Sequence, residues 1–476
     1  MSNWGSRRRL LAVLLTLSLI VMLGGCGNKA EKSEMTTYVM ANGLVVGDQQ
    51  EGQYTSQSCG KTTIYLPKLS GLQDAAMEKA LNDRIWEKVV ELADAPPPAY
   101  RGIKVRLPED AVCREQWINV NVMGSFNDML SVSFIRGMSY DLPGEEYGMY
   151  LNQMQTLNLD LHTGEEIPLA EIFPKGSDYS AMLDQAVRAE LTKNYATEEE
   201  GYTMSTLKQV APFTGIRPEQ KYTISPWGLT LYFDEATPEF DTDFTVENLT
   251  ISNRQLQSLG TVAQNFYQPP GAKSIYRDAS LQTPYLINWG QTYDRGVNEF
   301  LEGDGVYVSI ISQYSSELPQ TVQDKIVELA KIDPTRLSAL QRSRTEEHPT
   351  ASYDVTVWAQ CYGDYISVVQ GSYFYDSDDQ TIQEKRFVYR ADSGEAVALE
   401  DLFQPGFDYA SAIKAALARD LAEETRQGLT LEELYQGMQW SVGEQGIEIW
   451  LPLESGGQHV TAFYRDMGPE NMVIFH

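Results

Sequence analysis

Gly164 to Tyr179 reads GEEIPLAEIFPKGSDY, and Gly394 to Tyr409 reads GEAVALEDLFQPGFDY. Seven of the sixteen positions are identical at a constant offset of 230, and Ile167/Val397, Glu171/Asp401 and Ile172/Leu402 are conservative pairs. The chain is therefore read as two copies of one unit before any single element is assigned. Gly164 and Gly394 interrupt apolar runs, where glycine supplies the positive φ of a tight hairpin. Asp178 and Asp408 stand just ahead of helical periodicity and read as N-caps. Leu183, Val187, Leu191 and Ile413, Leu417, Leu421 then recur every four residues, one apolar helix face per copy.

Upstream of this block, the copies share an order of elements more than identities. Thr62 to Leu66 is strand-like and precedes an amphipathic helix with Met77, Leu81, Ile85, Val89 and Leu92 on one face, stopped by Pro96, Pro97 and Pro98. Val306 to Ile311 and a helix marked by Val322, Ile326 and Leu329, ending before Pro334, repeat this order. Paired strand runs come next, 117–123 with 130–135 and 353–361 with 365–369, each pair a hairpin. Gly228 to Phe233 and Gly446 to Leu451 alternate as strands further on. The expectation is an α+β fold, two tandem copies of a domain with an antiparallel sheet and about two packed helices each. The boundaries expected are 53–260 for copy 1, 261–298 for a linker and 299–476 for copy 2.

Ahead of the copies, Arg7, Arg8 and Arg9 precede an apolar run from Leu10 to Leu23 that suits a signal-peptide core and is short for a permanent span. It ends in Leu23-Gly24-Gly25-Cys26, which looks like a lipobox. Residues 1–25 are thus expected to be a lipoprotein signal peptide, Cys26 the lipidated residue, and the protein a cell-membrane lipoprotein facing outward. Residues 26–52 are expected to be a flexible tether. The formal charge is −29 and becomes about −32 without the three signal arginines, which disfavours nucleic acid and anionic lipid and suits a cationic protein partner. In that oxidising compartment Cys59 and Cys113, in one copy, are the candidate disulfide pair, and Cys361 is expected to be a buried thiol.

The pattern D-x-x-T/S-G-E-x-x-x-L-x-D/E-x-F-x-x-G-x-D-Y, at Asp160 to Tyr179 and more loosely at Arg390 to Tyr409, resembles the extracytoplasmic domain of RsiV-type anti-sigma factors, which also precedes a peptidoglycan deacetylase catalytic domain. The resemblance implies the fold and a capacity to recognise something outside the cell, which for the RsiV-type case is lysozyme. A cytoplasmic sigma-binding segment, a transmembrane helix and a deacetylase domain are not apparent in the sequence, so neither anti-sigma activity nor deacetylation is expected.

Catalytic patterns are thin. His162, His348, His459 and His476 have no metal-ligand spacing, so no metal is expected. His162 reads as a solvated strand residue. Ser411-Ala412-Ile413-Lys414 and Ser58-Cys59-Gly60-Lys61 fit S-x-x-K without its companion motifs. Asp376-Ser377-Asp378-Asp379 reads as a polar hairpin loop and not a calcium loop, and Glu198-Glu199-Glu200 as a solvated run. The expectation is a non-enzymatic binding or sensing lipoprotein without cofactor, its ligand a lysozyme-like protein or cell-wall glycan. The alternatives are an assembly partner of a membrane complex and, third, an envelope-polymer hydrolase. Oligomeric state is open.

Overall fold

The computed structural model describes residues 38–97, 107–142 apart from 109, 148–191, 211–233, 239, 247–267, 274–290, 295–303, 306–331, 338, 351–376, 379–426 apart from 424, 428–453 and 456–475. The signal segment, Cys26, His348, His476, Pro98, Pro334 and Glu198 to Glu200 lie outside the described residues.

The described residues begin at Tyr38, inside the stretch 26–52 read as a tether. Strands β1 (Tyr38–Val39) and β2 (Val45–Val46) pair with each other, and β3 (Gln50–Ser56) begins before residue 53. Met40, Leu44 and Val46 are buried in the first core, so residues 38–52 are held by apolar contact. β4 (Gly60–Leu66) and β5 (Leu69–Ser70) lead into helix α1 (Ala75–Asp94), whose N-cap Asp74 accepts bonds from the backbone N–H groups of Ala76 and Met77. Long strands β6 (Val112–Phe126), β7 (Met129–Asp141) and β8 (Met149–Asp160) complete a five-stranded sheet of order β3-β4-β6-β7-β8. Asn127 and Asp128 turn β6 into β7 with φ of 48° and 61°, the geometry of a tight hairpin turn. The sheet is mixed, not purely antiparallel: β4 and β6 run parallel because α1 is the crossover between them.

Side chains alternate between faces of a strand. One face of this sheet, with Ile64, Ile118, Val120 and Phe134, packs on Leu81, Ile85 and Val89 of α1. Past β8 the repeated block forms a short 3₁₀ turn and helix α2 (Tyr179–Leu191), followed by a small antiparallel sheet of β9 (Lys221–Ser225), β10 (Gly228–Phe233) and β11 (Glu247–Ser252). Ile167, Leu169, Ile172 and Phe173 of the block share a second core with Leu183, Val187 and the small sheet. β9 docks on the face of the large sheet away from α1. There Ile224 N donates to Ser131 Oγ (2.9 Å), and Gly124 permits the approach, since a Cβ on it would lie 2.7 Å from the Ile224 carbonyl oxygen.

The described residues of 261–298 are packed against both halves. After helix α3 (Asn253–Ser258), Phe266 enters the second core and Tyr276 the first, while Leu286 enters the core of the second half. Trp289 N bonds to Cys361 O, Arg465 Nη1 to Leu281 O, and Arg254 pairs with Glu317 at 2.7 Å. The linker is thus a packed strap, and it already contributes β12 (Arg295–Gly303).

The second half repeats the topology. β12, β13 (Val306–Tyr314), β14 (Ala351–Tyr362), β15 (Tyr365–Asp376) and β16 (Asp379–Arg390) form a five-stranded sheet in that order, again with one parallel pair, β13 with β14, spanned by helix α4 (Gln320–Leu329). Helices α5 (Tyr409–Asp420) and α6 (Leu431–Gly437) precede the small sheet β17 (Gln439–Val442), β18 (Gly446–Leu453), β19 (Gly456–Phe463) and a last turn of helix, α7 (Tyr464–Met467). The fold is α+β with one architecture used twice. Corresponding residues even repeat their geometry: Phe173 stacks on Tyr179 at 5.3 Å and Phe403 on Tyr409 at 5.0 Å, and Gly164 and Gly394 have φ of 73° and 70°.

Candidate functional site

Each large sheet has one face under its helix and the other only partly covered by the small sheet. On the first sheet the uncovered part carries Trp117, Asn119, Tyr150 and Asn152, which the register places on the face opposite Ile118 and Leu151. Trp117 pairs across β6–β7 with Gly137, and its indole lies flat on that glycine, since a Cβ there would fall 2.3 Å from the ring. Its Nε1 donates to the Tyr150 hydroxyl at 2.7 Å, and Tyr150 is 49 % exposed. The result is a fixed aromatic shelf flanked by amide side chains. Arg114 Nη2 donates to Ser139 Oγ at 2.8 Å beside it, Ser139 being the cross-strand partner of Tyr150.

On the second sheet, counted from the hairpin tip, Asp354 and Tyr373 hold the places of Trp117 and Gly137. Burial raises the pKa of Asp354. Where that sheet meets the small one, Arg386 Nε and Nη2 donate to Glu384 Oε2 at 3.0 and 2.8 Å, Nη1 to Ser441 Oγ at 2.9 Å, and Nη2 contacts His459 Nδ1 at 3.1 Å. His459 Nε2 also lies 3.3 Å from Glu384. Burial pushes the Glu384 carboxyl up, but His459 and Arg386 outweigh it and leave its pKa lowered. Glu448, which accepts from Thr461 Oγ1 at 3.2 Å, is raised by burial against the pull of Arg386. Glu444 is pushed up to about 8 by burial and then by the charge of Glu448. Two carboxyls with opposite shifts resemble an acid–base pair, but Arg386 is 7 % exposed and engages its donors inside the interface. The cluster is a joint between sheets. Its members come from four strands, and no local motif announces them.

The hairpin tip of the first half corrects the reading of His162. Its Nε2 lies 2.8 Å from Asp128 Oδ2 and the side chain is 23 % exposed, so it is paired and not solvated. Asp128 also accepts from the Tyr276 hydroxyl at 2.7 Å, and Asp160 accepts from the Tyr267 hydroxyl and from the backbone N–H of His162 at 2.6 Å. Burial and these carboxylates hold both tyrosine hydroxyls well above their usual range. The strap is therefore latched onto the tip.

Cys59 and Cys113 are joined as a disulfide with Cα atoms 5.2 Å apart, and Cys361 is a buried thiol. Ser58 donates to Ala93 O at 2.6 Å. Asp408 caps α5 and accepts from the Ser411 N–H and hydroxyl while Lys414 pairs with Glu432, so neither S-x-x-K assembles a serine–lysine couple. Asp376 and Asp379 are backbone partners at the β15–β16 hairpin, and 377–378 lie outside the described residues. Among the described residues there is no group of three metal-ligating side chains, and no helix is long and apolar enough to cross a membrane.

No protein-family model matches the chain, and no curated protein matches it. Among solved structures it is similar to a DUF3298 family protein from Pseudomonas aeruginosa PAO1, 12 % identical, with 38 % of this chain and 94 % of that one covered and a TM-score of 0.27. It is similar also to a DUF3298 family member from Bacteroides fragilis NCTC 9343, 13 % identical, with 48 % and 94 % covered and a TM-score of 0.28. These are distant matches to part of the fold.

Proposed function

We propose that the protein is an extracytoplasmic lipoprotein, anchored through Cys26, that acts as a non-enzymatic binding module for cell-wall glycan. The observation that carries this reading is the aromatic shelf of the first sheet. Trp117 is laid flat on Gly137 and pinned to Tyr150, with Asn119 and Asn152 beside it. A sugar ring offers an apolar face to a π-system and hydroxyls to amides, and a fixed ring loses little entropy on contact. The resemblance to RsiV-type domains and the lipobox support the compartment. The net charge of −29 favours a second reading, in which the ligand is a cationic protein such as lysozyme.

One experiment separates the two: retention of the chain from residue 27 on insoluble peptidoglycan, and its binding to lysozyme, each at low and high salt. The glycan reading expects retention insensitive to salt and at least tenfold weaker in Trp117→Ala/Tyr150→Ala. Saturable lysozyme binding that fades with salt, without retention on peptidoglycan, overturns it in favour of the second reading. If neither ligand is bound, both fail and an assembly partner of a membrane complex takes their place.

A further inference from the structure

We propose that the groove between edge strand β3 and helix α1 is a second binding site, which takes an extended peptide as an added antiparallel strand with its free C-terminal carboxylate at Lys68 and Lys79. β3 forms one edge of the first large sheet, and among the described residues no strand pairs with its outer side. Such an edge presents a row of N–H and C=O groups, which proteins commonly block with lysine, proline or a bulge. β3 reads QEGQYTS and pairs with β4 in unbroken register, with none of these devices.

Beside this edge lies a groove of about 510 Å³, within the size range of ligand sites. Ile64 and Leu66 form its floor, and Ala75, Asn82 and Trp86 its helical wall. Gly52 keeps it open: a Cβ there would meet only the Ile64 carbonyl oxygen, at 3.9 Å. In the second half the corresponding strand position is Glu299, opposite Ile310 as Gly52 is opposite Ile64. Trp86, 40 % exposed, closes one end and is braced edge-to-face by Tyr54, whose hydroxyl donates to Asp94 Oδ2 at 2.9 Å.

The groove has a direction. Lys68 comes just after Leu66, the partner of Gln50 at the start of β3, and Lys79 lies in the first turns of α1, whereas Trp86 and Tyr54 stand towards the other end. Of the acids at the lysine end, Glu78 is engaged by Leu72 N and by Arg277, Glu51 accepts from Gln53 Nε2, and Asp83 pairs with Lys79 on the exposed side of α1. A strand added antiparallel to β3 runs from the tryptophan end to the lysine end, so its last residue arrives beside the Lys68 ammonium and that of Lys79, which exchanges its exposed pairing with Asp83 for the peptide carboxylate. Main-chain pairing supplies affinity, alternate side chains enter the groove, and the charge pair fixes register.

The test is a display library of random heptapeptides with free C-termini, selected on the mature chain and counter-selected on Gly52→Leu, which fills the groove. The expected outcome is enrichment of peptides with apolar residues at alternate positions. Their binding should weaken at least tenfold in Gly52→Leu and on C-terminal amidation, with slowed amide exchange over residues 50–56. Peptides that bind Gly52→Leu equally, or leave exchange in β3 unchanged, overturn the proposal, as does no enrichment at all. Trp86→Ala, at an exposed position, serves in place of Gly52→Leu should that variant fail to fold. Trp117→Ala/Tyr150→Ala must leave peptide binding intact, which keeps this site's failure distinct from that of the glycan shelf.

Discussion

On one face of the small sheet, the first half of the molecule carries hydroxyls and the second carries charges. Thr230 and Thr250 share a hydrogen bond at 2.9 Å across β10 and β11, and Thr223 shares one with Tyr232 at 3.0 Å. At the matching places of the second half stand Glu448 and Thr461, Ser441 and Trp450, with Arg386, Glu384 and His459 around them. On the helix side of the large sheets the assignment is reversed. Arg136, fully buried, donates to Gln116, Gln153, Ser58 and the carbonyl of Ala95 beyond the end of α1, whereas Gln370 alone reaches the Leu329 carbonyl at the end of α4. One backbone frame thus tolerates either chemistry at either interface. The two chemistries differ in how they respond to loss of a partner, because a buried charge left alone costs far more than a buried hydroxyl.

The largest expected effects sit on the helix side of the first half. Arg136→Met leaves the carbonyls of Ala95 and Pro96 and Gln153 Oε1 without that donor, and at about 1–3 kcal/mol for each buried acceptor left unsatisfied a loss of roughly 3–5 kcal/mol is expected in urea unfolding. Gln370→Met should cost only about 1 kcal/mol. Equal losses would mean that a buried guanidinium and a buried amide close the helix end equally well. Reducing Cys59–Cys113 opens a loop with a sequence separation of 54, worth about 4 kcal/mol by chain entropy. The second half, with Cys361 alone, has no counterpart to that bridge.

On the small-sheet side the order reverses. Arg386→Met leaves Glu384 buried against a weaker partner and is expected to cost about 3 kcal/mol at neutral pH, less in acid where Glu384 takes up a proton. Glu444 gives the second half a pH signature of its own. Its folded pKa, up at about 8, lies above the unfolded carboxyl value, so the folded state holds the extra proton between them. That stability is whole below about pH 4.5 and is lost as pH rises through 8. Glu444→Gln is therefore expected to raise the melting temperature at pH 8.5 and leave it nearly unchanged at pH 4.5. A melting temperature equally shifted at both would show that the carboxyl is solvated.

The sequence makes the repeated block legible because its signals are local. Gly164, Asp178 and the spacing of Leu183 and Val187 each act within a turn or two, and all recur 230 residues on with the same geometry. β3, a polar edge strand, and β12, whose Phe300 and Leu301 are exposed, are less legible, and β8 with its mixed run MYLNQMQTLNLD has no clear period. The parallel pairs depend on a crossover, which no local pattern encodes. His162 looks like a surface residue because its partner Asp128 is 34 residues away, and Trp117 reveals its shelf only once Gly137 is placed beneath it. The strap hides for a similar reason: Tyr267 and Tyr276 read as linker aromatics until the tip carboxylates they bind are brought to them.

The smallest expected effect is the most direct test of the hydroxyl half. Thr230 is 7 % exposed whereas Thr250 is exposed, so Thr230→Val keeps its shape and leaves the Thr250 hydroxyl to water, a loss of about 0.5 kcal/mol. Thr230→Val/Thr250→Val removes both ends of the bond and should cost little more than Thr230→Val alone, since no buried polar atom is stranded in either variant. In the second half the pair is not so isolated: Glu448→Val with Thr461→Val still leaves Arg386 and Glu384 in place with one fewer neighbouring carboxyl. A double-mutant cycle at each pair reads this difference directly. If the two cycles give the same coupling, the interfaces are equivalent despite their chemistry, and charge adds nothing to the joint that hydroxyls do not already supply.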